Sequence, residues 1–107
     1  MDDLLIYVKL HASQGKLLVA MCDEELIGQM LEEGEITIDL DAYSDFYKGE
    51  LTEPDDVKNK VDVAKVYSSN IVGKESIRAA INLGLIEAGN IKSVMGVPFA
   101  QSFLMDK

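Results

Sequence analysis

The stretch Ser69-Asn70-Ile71-Val72-Gly73-Lys74-Glu75-Ser76-Ile77-Arg78 reads as a loop that turns on a glycine into a helix. Free amides at a helix start point outward and favour anions. Lys74 and Arg78 add positive charge in the same turns. Backbone geometry and charge therefore converge here, and Asn70, Gly73, Lys74 and Arg78 become candidate contacts. Downstream, Lys74–Leu83 predicts a helix that buries Ile77, Ala80 and Ile81, with Gly84 as a left-handed cap and Leu85 folding back.

Working outward towards the N-terminus, residues 54–67 predict a helix opened by Pro54, with Val57, Val61 and Ala64 buried. Residues 41–53 carry no clear period and predict a loop pinned by Tyr43, Phe46 and Tyr47, with a bend at Gly49. Residues 35–40 alternate, with Ile36, Ile38 and Leu40 inward, and predict a strand. Asp23 stands at an N-cap position, with Glu24 and Glu25 in a first turn and Leu26, Ile27, Met30 and Leu31 at helical spacing up to Gly34; a short helix is expected. Residues 4–11 alternate, 12–15 are turn residues, and 16–22 are apolar on both faces. This predicts a hairpin whose second arm is central in a sheet.

Towards the C-terminus the chain breaks at Gly89-Asn90, and residues 91–95 are strand-like. Gly96-Val97-Pro98 must be extended or turned, because the residue before proline avoids helix. Residues 99–105 read as a last apolar strand. The order is β-β-α-β-α-α-β-β: an α+β fold, one domain over 1–107, with a mixed or antiparallel sheet of four to five strands and three helices.

The 107 residues carry a net charge of −9, very unevenly spread. Residues 22–56 hold thirteen acids against Lys48 alone, whereas residues 61–107 hold four acids against five bases. An acidic front repels a phosphate backbone, which argues against general nucleic-acid binding but not against a local contact in the later half. No apolar run reaches the roughly 18 residues of a membrane span, and the first residues lack the basic region of a secretory signal, so a cytoplasmic protein without membrane contact is expected. One cysteine, Cys22, and one histidine, His11, give neither an internal disulfide nor a zinc quartet. Cys22 is expected as a core residue and His11 at the surface.

Four strings, Ala20-Met21-Cys22-Asp23-Glu24-Glu25-Leu26-Ile27-Gly28, Phe46-Tyr47-Lys48-Gly49-Glu50, Asn70-Ile71-Val72-Gly73-Lys74-Glu75 and Gly96-Val97-Pro98-Phe99-Ala100-Gln101, occur in order along the chain. Together they resemble a small archaeal protein family of unknown function. The resemblance implies an archaeal cytoplasmic protein with no established activity to carry over. It also implies that relatives often carry histidine at the position of Phe99 and an acid at that of Lys74, so any chemistry of that imidazole is missing here.

The chemistry of individual motifs is thin. Ser68 to Glu75 approaches a phosphate-binding loop at Gly73 and Lys74, but lacks the leading glycine and the final Ser/Thr, and no clear strand leads into it. Asp39, Asp41, Asp45 and Glu50 fit four positions of a calcium loop, but Ser44 stands where glycine is needed. No catalytic set, metal site or cofactor is expected. The preferred expectation is a non-enzymatic interaction module that meets a protein or ribonucleoprotein partner through the 70–78 loop-helix start and the 96–101 turn, where Gly96, Pro98, Phe99 and Gln101 are the candidates. The alternative is a small enzyme or sensor of an anionic, phosphorylated metabolite bound at the N-terminus of the 74–83 helix. A homodimer sealed by a strand edge near 97–105 is compatible with either.

Overall fold

A computed structural model of the chain describes residues 4–103. Strands β1 (Ile6–Ser13) and β2 (Lys16–Asp23) form the expected hairpin, closed by Gln14 and Gly15 at φ +54° and +77°. Such paired positive angles match the right-handed twist of the flanking strands. After a 3-10 turn at Glu24–Leu26 come β3 (Met30–Glu33) and β4 (Ile36–Asp39), which among the described residues pair only with each other. Then follow the one-turn helix α1 (Ser44–Tyr47), β5 (Glu50–Thr52), 3-10 turns at Pro54–Asn59 and Val63–Lys65, and β6 (Val66–Val72). Helix α2 (Lys74–Leu83), a 3-10 turn at Ala88–Asn90, β7 (Lys92–Val94) and β8 (Val97–Phe103) complete the chain.

The main sheet has six strands in the order β5-β1-β2-β6-β8-β7. It is mixed, because β2 and β6 run parallel while the other neighbours are antiparallel. The fold is α+β, as expected, with more strands than the sequence pattern counted. One core lies on the sheet face that carries Ile6, Val8, Val19, Met21, Ile71 and Ala100, covered by Ile77 and Ala80 of α2 and by Val57 and Val61. A second core lies on the opposite face, where Cys22, Val72 and Phe99 meet Leu31, Leu40, Ile36, Ile38 and Tyr47. The β3–β4 hairpin and α1 roof that face at one end.

Two expected helices are corrected. The apolar residues of 23–34 fit a helical stripe, but Gly28 at φ +93° ends the first turn, and the chain returns as a strand in which only Leu31 is buried. Residues 54–67 form short 3-10 turns instead of one helix, and then β6 begins. That strand was concealed by Ser68, Ser69 and Asn70. Both serines are buried, and the Ser69 hydroxyl meets that of Ser102 at 2.5 Å across the β6–β8 pair. A polar run can thus form a central strand when a neighbouring strand supplies its partners. The unperiodic stretch 41–53 folds into α1 and β5. The last strand ends at Phe103; Leu104 and Met105 lie outside the described residues.

The string around Phe46 explains itself by packing. Phe46 stacks on His11 with centroids 4.6 Å apart, and the His11 Nε2–H donates to the Phe46 carbonyl at 2.8 Å. His11 is therefore half-buried, not a free surface residue. Gly49 presses against β1: a Cβ there would stand 2.2 Å from the Val8 carbonyl oxygen and 2.8 Å from Lys9 Cα. Backbone cannot yield as a side chain does. Gly49→Ala is expected to cost about 2 kcal/mol of stability, within the range for overpacking, and a urea titration reads it as a lowered midpoint at unchanged slope. An unchanged midpoint would mean that α1 and β5 are free to shift.

Candidate functional site

Antiparallel β6 and β8 bring two of the four strings side by side. Asn70 lies opposite Gln101, Ile71 opposite Ala100 and Val72 opposite Phe99. Because side chains alternate along strands, Cys22, Val72 and Phe99 form one row of the roofed face, and Ala20, Asn70 and Gln101 form the next. The roof stops between these rows. There a groove of about 330 Å³ opens, with Asn70, Phe99 and Gln101 on its floor, Tyr47 and Lys92 at its sides, and Glu35 with Ile36, Thr37 and Ile38 of β4 as a wall.

The eight candidate residues therefore divide. Asn70, Phe99 and Gln101 share the groove. Gly73 and Pro98 sit just behind it and hold the two strands together: the Gly73 N–H donates to the Pro98 carbonyl at 2.8 Å. Pro98 has no N–H to return, and the Gly73 carbonyl instead accepts from Ile77 N at 2.8 Å, starting α2. The proline thus stands where the ladder can spare a donor because the strand is becoming a helix. Gly96 occupies the β7–β8 turn at φ +79°, after Met95 at φ +52°. Lys74 lies in a separate hollow of about 290 Å³ beside Leu4, Leu5, Asp23, Glu24, Glu25 and Glu75. Arg78 is exposed and pairs with Glu75.

The anion site expected at the start of α2 is already filled by the protein. Asp23, 5% exposed, accepts from Ser76 N at 2.8 Å, from Ser76 Oγ at 2.8 Å and from Glu75 N at 3.1 Å. Asp23 ends β2, whose parallel partner β6 runs straight into α2, so both strand ends meet at the helix N-terminus. Its carboxylate plays the part that a bound phosphate plays at other helix starts. The reading of an anionic metabolite held at this helix start is withdrawn on that geometry. The calcium alternative fails similarly: the Asp39 carboxylate accepts from Asp41 N and Ala42 N, at 3.1 and 2.9 Å, and so closes the turn before α1.

Among the described residues, no group of three or more His, Cys, Asp or Glu side chains is placed to hold a metal ion. No helix among them is long and apolar enough to cross a membrane. Cys22 is buried, and its thiol points at the Asp23 carbonyl, 3.4 Å away. Burial, and then the Asp23 charge, push its pKa up to about 12. Burial, and then Cys22, push the Tyr47 hydroxyl up to about 12 as well. Neither is a nucleophile or a base near neutral pH.

Both groups bind their protons more tightly folded than unfolded, so their contribution to stability is complete below pH 9 and is lost as pH rises towards 12. The urea midpoint is expected to fall between pH 8 and pH 11, and to fall less in Tyr47→Phe than in the parent. Equal losses would show that the Tyr47 hydroxyl is already solvated. A thiol reagent at pH 8 is expected to label Cys22 only in urea.

Tyr47, Lys92 and the β4 wall were not among the expected site residues. Tyr47 sat in a recognised string, and the alternation of residues 35–40 marked a strand, but nothing local says that β4 ends beside β6 and β8.

A family model described as "Protein of unknown function (DUF424)" matches residues 11–105. The chain is also similar to a solved structure, the crystal structure of an uncharacterized conserved protein from Methanopyrus kandleri, at a TM-score of 0.81 and 24% identity, covering 96% of this chain and 94% of that one. This likeness supports the fold alone. No curated protein matches the chain.

Proposed function

The chain belongs to the DUF424 family of unknown function, and on that footing we propose that it is a non-enzymatic interaction module of the archaeal cytoplasm, which takes a segment of a protein or ribonucleoprotein partner into the groove between β4 and the β6–β8 face. The observation that carries this reading is the convergence of Asn70 with Phe99 and Gln101, which lie 29 and 31 positions later in a second string, on one open groove that also receives Tyr47 from a third. Amide side chains beside an aromatic offer hydrogen bonds and apolar contact together, as recognition sites do. The buried Cys22 and the half-buried Tyr47 both hold their protons and supply no reacting group. Contact is thus centred on the 96–101 strand start and Asn70, with Lys74 and Arg78 outside it.

Photo-crosslinking in cells tests the reading. With p-benzoylphenylalanine at Thr37 or Gln101, one discrete adduct is expected from both positions, and none from Ile81, which is exposed on α2. Adducts of equal yield at all three positions, or none at Thr37 and Gln101, would overturn the groove as the contact site.

A further inference from the structure

The groove's wall says what kind of segment fits it. Strand β4 has β3 as its only strand neighbour, so its second edge carries no strand among the described residues. The Leu40 N–H donates to the Gln29 carbonyl at 2.8 Å, on the β3 side. Main-chain groups of an antiparallel pair alternate in direction. Ile38 and Ile36 therefore also turn their N–H and C=O towards β3, and Thr37 turns its own the other way. Ile36 and Ile38 pack their side chains on the second core, whereas Thr37 is exposed. All of residues 35–38 nonetheless line the groove. Alternate residues are what a strand offers by its face; an unbroken run that includes Thr37 is what it offers by its open edge.

Acidic residues outnumber basic ones around that edge. Glu32, Glu33 and Glu35 lie on or between β3 and β4, with Asp39 at the end of β4 and Asp41 and Asp45 beyond it; among the lining residues themselves Glu35 is the one acid and Lys92 the one base. An RNA backbone is disfavoured beside this wall, and a cationic chain is favoured. At about 330 Å³ the groove is at the small end of ligand pockets and suits about three side chains of an extended chain.

We propose that an extended, lysine- or arginine-rich protein segment adds to the open edge of β4 as a third strand, with alternate side chains lying over Phe99, Asn70 and Gln101. This rests on the groove being the contact site. Main-chain pairing to Thr37 supplies affinity that is indifferent to sequence, and the acidic hairpin selects the charge.

Fluorescence anisotropy with defined peptides tests it. The probe is labelled Lys-Val-Lys-Thr-Lys-Val-Lys, compared with two twins N-methylated at odd or at even amides, with the peptide bearing Glu in place of Lys, and with a single-stranded oligouridine. The lysine peptide is expected to bind at least tenfold more tightly than the Glu peptide, the RNA, and one of the two twins. Thr37→Pro removes the outward N–H without touching the β3 ladder, and is expected to weaken the lysine peptide about tenfold at an unchanged melting temperature. Should Thr37→Pro fail to fold, Glu35→Lys is expected to weaken it instead. Equal binding by both twins, tighter binding of the Glu peptide or the RNA, or no binding of the lysine peptide would overturn strand addition. If crosslinks at Thr37 and Gln101 persist while both twins bind equally, strand addition falls and the groove stands; if the crosslinks are absent, the groove falls with it.

Discussion

Gly73→Ala is expected to lower folding stability by about 4 kcal/mol, an effect at the upper end for a single methyl group. Gly73 sits at φ +110° and ψ 154°, a combination held almost only by glycine, and forcing an alanine into it costs about 1–3 kcal/mol. The added Cβ would also stand 2.3 Å from Asp23 Cγ and within 2.6 Å of both carboxylate oxygens. No rotation of the methyl relieves that, so Asp23 must withdraw from Glu75 and Ser76. Each hydrogen bond to a charged group is worth about 1.5–3 kcal/mol net, and a shared acceptor makes these less than additive. A guanidinium titration reads the loss. A change below about 1 kcal/mol would mean that the carboxylate has room to move and that the close approach of β2 to α2 is not binding on the fold.

The same glycine shows how far the sequence could be read. The bounds of helix α2 were legible, because their signals are local: the spacing of Ile77 and Ala80, and the Gly84 stop; Ile81, expected on the buried stripe, is instead exposed, and Ala79 is buried in its place. At that stop Leu85 N donates to Ala80 O at 2.9 Å and Gly84 N to Ile81 O at 3.0 Å, a left-handed closure with Leu85 buried. The β1–β2 hairpin was legible for the same reason. Gly73 stands in the sequence as the glycine on which the chain turns into the helix, and its φ of +110° bears that out, but nothing local names the neighbour it makes room for. Its missing side chain makes room for Asp23, which lies 50 positions earlier and had been assigned to cap a helix of its own. An N-cap supplied across a sheet leaves no periodic trace. The site divides likewise: Asn70, Phe99 and Gln101 were named from their strings, whereas β4, which walls them, is placed only by a hairpin folding over the sheet. Residues 24–33 misled because Leu26, Ile27, Met30 and Leu31 satisfy a helical spacing that Gly28 physically interrupts.

Asp23→Ala should cost about 3 kcal/mol, slightly less than the glycine substitution, because it removes the acceptor without straining the backbone. It leaves Ser76 N and Ser76 Oγ in a site where Ser76 is 0% exposed, and buried donors left without partners cost about 1–3 kcal/mol each unless water enters. Asp23→Asn keeps the shape and one acceptor, and is expected to lose about half as much. The two positions should couple strongly. In an Asp23→Ala background the Gly73→Ala methyl no longer meets a carboxylate, so only backbone strain remains and its cost drops to about 2 kcal/mol. A double-mutant cycle by guanidinium titration measures this, and amide exchange at Glu75 and Ser76 gives a local readout, faster in Asp23→Ala and close to the parent in Asp23→Asn. Additive costs across the cycle would contradict the contact. The first turn of α2 would then be held by its packing on Ile71 and Ala100, and the carboxylate would be incidental to it.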